Sequence, residues 1–236
     1  MTFLPELRRD LRVLAAMARG QERSGSHAEK LEAFYGPQAA DYDAFRARLL
    51  HGREELVRRI ALPYAAQVAE LGAGTGATAA LFKRRMSRIW RFDLVDLCPS
   101  LLAQARARFA GSRNVRVLES DVLAYRPAAP LDAVYFSYSL TMIPDWKRAL
   151  EHALSLLKPE GLVGIVDFIA PPGSLGRRFW TRWFGHDGVR LDRAHLEGLR
   201  ARTEAVYFRE GNAPLPYLPF VKVPYYVYVG RLPAGS

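Results

Sequence analysis

The sequence predicts an α/β fold around a mostly parallel sheet. Two observations carry that expectation. From Tyr64 onward, strand-like apolar runs alternate with helix-like periods, and a glycine-rich turn, Gly72-Ala73-Gly74-Thr75-Gly76, separates the first strand from the first helix. The 236 residues are enough for one sizeable core, short of the roughly 250–300 at which single cores stop growing.

The elements follow in order. Leu4, Leu7, Leu11 and Leu14 recur at near-heptad spacing with Arg8, Arg9 and Arg12 on other faces, which reads as an amphipathic helix serving as a lid, a surface anchor or packing on the domain edge. A polar and aromatic stretch, His27 to His51, leads into a helical pattern through Ile60. Then come strand Val68–Leu71, helix Ala77–Met86, strand Trp90–Val95, helix Ser100–Phe109 and strand Val115–Glu119. Strand Ala133–Ser137 and a helix from about Trp146 to Leu157 follow, with Lys158-Pro159-Glu160-Gly161 as its stop signal before strand Leu162–Phe168. A helix near Arg193–Arg202 and strands Ala205–Arg209 and Tyr225–Gly230 complete the chain, the last two separated by a loop with Pro214, Pro216 and Pro219. Residues 1–60 are expected to form a helical lid and substrate segment, and 61–236 the core of one structural domain.

Charge and composition narrow the function. Of 34 basic residues only Lys30, Lys83, Lys147, Lys158 and Lys222 are lysine, and the net charge is +10. Such a field favours an anionic partner without choosing among nucleic acid, anionic lipid and acidic metabolites. The single cysteine, Cys98, excludes an internal disulfide framework, and with five scattered histidines no metal site is expected. No run approaches the roughly 18–20 apolar residues of a spanning helix. The expected location is cytoplasmic, with peripheral attachment to a membrane.

Three acids sit at three successive strand ends: Glu70 before the first glycine, Asp96 after the second strand and Asp121 after the third. Glycines at 72, 74 and 76 let backbone turn tightly and approach a ligand. Read as Gly72-x-Gly74-x-x-Ala77, the turn also fits a dinucleotide fingerprint. The acids favour a cationic, hydroxyl-rich ligand bearing adenine, since a carboxylate is a two-oxygen acceptor suited to a diol.

At these residues the chain resembles the class I S-adenosylmethionine-dependent methyltransferases. The resemblance implies a Rossmann-like seven-stranded sheet with helices on both faces and antiparallel last strands. It also implies S-adenosylmethionine as cofactor and S-adenosylhomocysteine as product. It places Gly72, Gly74, Thr75 and Gly76 under the amino-acid part of the cofactor beside Glu70, Asp96 with Leu97 on the ribose, and Asp121 with Val122 at the adenine. Ser137 and Ser139, after the fourth strand, fall at further cofactor-facing positions.

Three further stretches are similar to one subfamily, the diacylglyceryl-homoserine N-methyltransferases of betaine-lipid synthesis. They are His27 to Arg53, the run Ser137-Tyr138-Ser139-Leu140-Thr141-Met142-Ile143-Pro144-Asp145-Trp146, and the tail Pro216-Tyr217-Leu218-Pro219 with Val223-Pro224-Tyr225-Tyr226. This resemblance implies three successive methylations giving diacylglyceryl-trimethylhomoserine, an anionic membrane surface as partner, and the enzyme that makes diacylglyceryl-homoserine as a functional partner. No nucleic-acid partner is implied. The chain departs from the related pattern at Pro159-Glu160-Gly161, where Pro-Gly-Gly is common. Tyr35, Tyr42, His51 and Tyr138 are the expected catalytic residues, bordering the acceptor amine. Arg46, Arg53 or Arg182 would take the homoserine carboxylate. The segment Arg177 to Phe184, with two tryptophans, two phenylalanines and three arginines, suits a headgroup interface or an ordinary core. Alternatives are a methyltransferase for a quinone or another amine, a nucleic-acid-binding protein, and a non-catalytic cofactor binder.

Overall fold

The structure is a computed structural model that describes residues 25–38, 48–170, 193–215 and 218–234. Helix α1 (His27–Tyr35) begins at a capping box in which Ser26 and Glu29 satisfy each other's backbone amides. Helix α2 (Arg53–Arg59) carries Glu54 and Glu55 in its first turn and Arg58 and Arg59 in its last, matching the helix dipole at both ends. The sheet then unfolds as β1 (Ala66–Leu71), β2 (Ile89–Asp96), helix α3 (Pro99–Arg108), β3 (Val115–Glu119), β4 (Leu131–Ser137), helix α4 (Trp146–Ser155), β5 (Leu157–Phe168), helix α5 (Ala194–Arg200), β6 (Glu204–Leu215) and β7 (Leu218–Arg231).

The strand order is β3-β2-β1-β4-β5-β7-β6. Neighbours among β1 to β5 pair in parallel, and β7 runs antiparallel to both β5 and β6. The central strands are buried on both faces, so they read as apolar runs rather than alternating ones. One core cluster joins α2 and the 79–88 segment to the sheet through Leu56, Ile60, Phe82, Phe92 and Tyr135. The other packs α4 and α5 on the opposite face through Leu150, Leu196, Phe136 and Tyr228. Strand order reverses between β1 and β4, and a crevice opens at such a switch point, beyond the carboxyl ends of the strands.

Three expected boundaries shift. The helix expected over 77–86 is a 3-10 segment, Ala79–Arg88, broken at Lys83 (φ 47°, ψ −122°). Here a tertiary contact outweighs local propensity: Arg85 donates to the Val57 carbonyl at 2.6 Å and to that of Ile60, capping the end of α2. Residues 158–161 do not form a free turn; they bulge inside β5, with Glu160 at φ 62° and the register stepping from Leu131↔Leu157 to Ala133↔Leu162. The proline-rich loop contracts as well. Ladder pairing continues through Pro214↔Lys222 to Leu215↔Leu218, which β6 tolerates because it is the edge strand. The amphipathic start at Leu4–Leu14 and the Arg177–Phe184 segment lie outside the described residues. Among the described residues no helix is long and apolar enough to cross a membrane.

Candidate functional site

The glycine turn is a cradle between β1 and α3. Gly72, Gly74 and Gly76 all have left-handed φ (73°, 53° and 69°), which other residues adopt only at a cost. A Cβ on Gly72 would stand 2.3 Å from the Ser139 Cβ, so the turn passes directly against the loop after β4. The amides of Gly72 and Ala73 donate to the Val95 carbonyl at 2.8 and 3.0 Å, folding the turn over the end of β2. Arg108 donates from below to the Thr75 carbonyl and hydroxyl, at 2.5 and 3.2 Å.

Asp96 closes β2 at the wall of the crevice. Its carboxylate accepts from the Gly74 amide at 2.7 Å and the Cys98 amide at 2.9 Å. Burial raises its pKa, while the amides of Cys98, Gly74 and Leu97 pull it back. About four lone-pair sites on a carboxylate leave acceptor capacity for a ligand hydroxyl. Glu70 lies deeper, 1% exposed, and takes the Tyr135 hydroxyl at 2.8 Å. Burial pushes its pKa up to about 8, against that hydrogen bond and the nearby positive charge of Arg53. Leu97, Leu101, Ser120 and Val122 form the end of the crevice nearest β3. Asp121 itself is exposed, its side chain accepting from the Leu123 amide at 2.8 Å, and its charge reaches His27.

The β4 side is tied down by hydroxyls. Ser137 bonds Thr78 at 2.9 Å, Ser139 donates to the Leu71 carbonyl at 2.7 Å, and Tyr138, at φ 56°, donates to the His51 carbonyl at 2.6 Å. Burial carries the Tyr138 phenol far above its ordinary pKa, so it stays protonated. His51 is outside the lining of the crevice, in an adjoining depression with Gly52 and Arg108, and its Nε2 bonds the Arg48 carbonyl at 3.1 Å. Tyr35 does reach the wall; its hydroxyl donates to the Met142 sulfur at 3.3 Å. Tyr42, Arg46 and Arg182 lie outside the described residues.

The structure thus brings Glu70, Gly72, Gly74, Thr75, Asp96, Leu97, Val122, Ser137, Ser139, Tyr35 and Tyr138 to one crevice, and leaves Gly76, Asp121 and His51 off its lining. It adds His27, Leu31, Thr78 and Met142, and puts Arg53, one of the three arginines expected for the substrate carboxylate, on the same lining. His27, Leu31 and Tyr35 are spaced by four, one face of a helix, a signal present in the sequence. Glu32, on the neighbouring face, was not legible as a contact. It fastens α1 to the start of α3 by accepting from the Cys98 thiol at 3.1 Å, the Ser100 amide at 3.2 Å and the Ser100 hydroxyl.

Comparison with known proteins agrees with this geometry. Residues 68–161 match the family model of a methyltransferase domain. The trans-aconitate 2-methyltransferase of Enterobacter sp. (strain 638) is 35% identical over 111 residues, which is 47% of this chain and 42% of that protein. The same enzyme of Escherichia coli K12 (DH10B) is 30% identical over 124 residues, 52% of this chain and 48% of that protein. The chain therefore spans about half the length of the relatives it matches. Among solved structures, the N-methyltransferase NodS of Bradyrhizobium japonicum WM9, in complex with S-adenosyl-L-homocysteine, superimposes with a TM-score of 0.65 at 16% identity, covering 86% of this chain and 98% of that one. The 1,6-didemethyltoxoflavin-N1-methyltransferase of Burkholderia thailandensis gives 0.59 at 20% identity, covering 90% and 92%.

The residues fit S-adenosylmethionine. Asp96 offers acceptors for a ribose diol and the Leu97–Val122 end an apolar slot for adenine. A side chain on Gly72 would collide with Ser139, and Glu70 and Arg53 line the same crevice as polar groups suited to an amino-acid terminus. Residues 68–161 match a methyltransferase domain, and the seven-stranded sheet around them is the class I methyltransferase fold.

Proposed function

We propose that the chain is an N-methyltransferase that converts diacylglyceryl-homoserine to diacylglyceryl-trimethylhomoserine by three successive methylations at a membrane surface. The observation that carries this reading is the acceptor wall of the crevice, where Tyr35, Tyr138 and Met142 supply aromatic and thioether surface and both hydroxyls are already bonded to the scaffold. Such a wall orients a nucleophile rather than deprotonating it. A neutral amine needs orientation alone, and holding it in near-attack geometry is worth roughly 7–11 kcal/mol in ideal cases. Aromatic faces also tolerate the growing ammonium charge, by about 0.5–2 kcal/mol.

Bound S-adenosylmethionine supplies a methyl group on a sulfonium for in-line displacement. Asp96, Glu70, Arg53 and the glycine turn would hold it; α1 covers the crevice through His27, Leu31 and Tyr35; Met142 and Tyr138 would face the acceptor. Each of the first two methylations releases a proton, which passes to solvent, because neither tyrosine hydroxyl is available as a base. The net charge of +10 supports attachment to anionic lipid, and the enzyme that makes diacylglyceryl-homoserine is the partner this reading implies.

A second reading follows from the relatives named as trans-aconitate 2-methyltransferases: a carboxylate of a small polycarboxylic acid as acceptor. It too needs no base. Incubation with methyl-labelled S-adenosylmethionine and membranes containing diacylglyceryl-homoserine, in parallel with trans-aconitate, separates the two. Label in mono-, di- and trimethylated lipid is expected. Label only in a water-soluble, base-labile ester would replace the first reading by the second.

A further inference from the structure

Beneath the acceptor wall lies a buried acid that the proposed chemistry does not use. Asp167, near the carboxyl end of β5, is 0% exposed. Its carboxylate accepts from the Thr141 hydroxyl at 2.7 Å, the Thr141 amide at 3.1 Å and the Phe168 amide at 2.8 Å. A side chain that merely filled this space would be apolar, since a buried carboxylate is costly unless its hydrogen bonds are needed. Two of these donors belong to Thr141, and the Leu140 amide of the same 3-10 turn, Leu140–Met142, also acts on the carboxylate. The residue after Thr141, Met142, lines the crevice and accepts the Tyr35 hydroxyl.

The turn needs an anchor. Tyr138, two residues before it, holds a left-handed φ of 56°, a conformation that persists in a non-glycine residue only where its surroundings over-determine it. The Tyr138 ring packs on Phe168 with centroids 4.6 Å apart, and its amide donates to the Val166 carbonyl at 2.8 Å. The end of β5 therefore grips the loop on both sides of the strained residue.

We infer that Asp167 is a positioning residue for the acceptor, holding the Tyr138–Met142 loop in the shape that forms the acceptor wall; the role toward the acceptor rests on the methyltransferase reading above, whereas the anchoring does not. Thr141 is the hand it holds, and Met142 and Tyr138 are the surfaces it sets. The cofactor half of the crevice, built on β1 and β2, meets this loop at Ser139 but is held by its own bonds, from the Gly74 and Cys98 amides to Asp96.

Tyr138 on the β4 side and Tyr226 on β7, the partner of Asp167 in the β5–β7 register, feel its charge, both with phenols raised far above the ordinary range, and Arg53 acts on Tyr138 from α2. Burial lifts Asp167 itself to about 6.

Asp167→Asn and Thr141→Val in the full chain test this. Amide hydrogen exchange over residues 140–143 is expected to quicken about tenfold in Asp167→Asn, the equivalent of roughly 1.4 kcal/mol of lost local protection. Calorimetric affinity for S-adenosylhomocysteine should stay within about twofold, while the acceptor KM rises several-fold and kcat changes less. Thr141→Val removes one donor and keeps the acid, so it gives a smaller shift of the same kind and serves if Asp167→Asn folds poorly. Unchanged exchange over 140–143 in both variants would overturn the inference. Absence of methyl transfer to either acceptor by the unmodified chain would instead overturn the functional reading, and the exchange measurement would still decide the anchoring.

Discussion

The two halves of the crevice are built by different means. On the β1–β2 side, backbone amides and carboxylates do the holding, and most of the bonds, such as Gly74 to Asp96 and Cys98 to Asp96, join neighbouring strand ends within one glycine-turn motif. On the β4–β5 side, side-chain hydroxyls bond carbonyls and acids far away in sequence: Tyr138 to His51, Ser139 to Leu71, Thr141 to Asp167. The first half is a ligand cradle whose polar groups retain acceptor capacity. The second is a braced wall whose polar groups are consumed by bracing. A side chain in the first is therefore expected to act on cofactor affinity, and one in the second on the shape of the acceptor site.

Gly72→Ala should have the largest effect, because it breaks both halves at once. The new Cβ would meet the Ser139 Cβ at 2.3 Å in a backbone of φ 73°. Left-handed strain of about 1–2 kcal/mol and overpacking of about 1–3 kcal/mol combine, so a Tm drop of roughly 5–15 °C is expected in a melting experiment. Adding Ser139→Gly should restore the overpacking share and leave the strain. No recovery in the double variant would mean that the two halves do not meet at this point.

Asp96→Ala sharpens the comparison from the cradle side. It removes a ligand acceptor and strands the Gly74 and Cys98 amides, so S-adenosylhomocysteine affinity measured by calorimetry should fall about 10–100-fold, at ~1.5–3 kcal/mol for hydrogen bonds to a charged group. Ser139→Ala, on the braced side, should move that affinity less than threefold. Equal losses in the two would erase the distinction.

Glu70 gives the comparison a pH axis. Its folded pKa of about 8 lies above the ordinary 4.5, so the native state holds a proton that the unfolded chain releases. Stability from this group is complete below about pH 4.5 and declines as pH rises to about 8. Melting curves of Glu70→Gln against the unmodified chain should therefore differ in slope between pH 5 and 8, the unmodified chain losing at least a few °C more. Parallel slopes would mean that Glu70 is not held neutral.

What could be read from sequence follows the same division. The glycine turn, Glu70, Asp96 and the alternation of strands are local patterns, and the parallel sheet and its crevice followed from them. The braces were not legible. Nothing in Val166-Asp167-Phe168 says that its acid meets Thr141, 26 residues earlier, and the hydroxyls of Ser137-Tyr138-Ser139 look like ligand contacts until their scaffold partners are seen. His51 fails similarly: it borders the site through its carbonyl, which accepts from Tyr138, and its imidazole bonds the Arg48 carbonyl instead. The 79–88 segment departs from a regular helix where Arg85 is drawn to carbonyls of α2, a bond whose partner lies 25 or 28 residues away.

The smallest effect belongs to Tyr226→Phe, on the braced side. Tyr226 is 0% exposed, and its hydroxyl has no hydrogen-bond partner among the described residues. Removing a partnered hydroxyl from a brace would cost about 1 kcal/mol, but deleting an unsatisfied one recovers its desolvation penalty, about 1–3 kcal/mol at most, against the loss of one buried atom's packing. The expected outcome is a Tm unchanged or raised by a few °C, with the acceptor KM unchanged because Thr141 still occupies Asp167. A Tm lowered by more than about 3 °C would mean that the hydroxyl is itself a brace, bonded to Asp167 or to buried water, and the anchoring of the acceptor wall would then be shared between Thr141 and Tyr226.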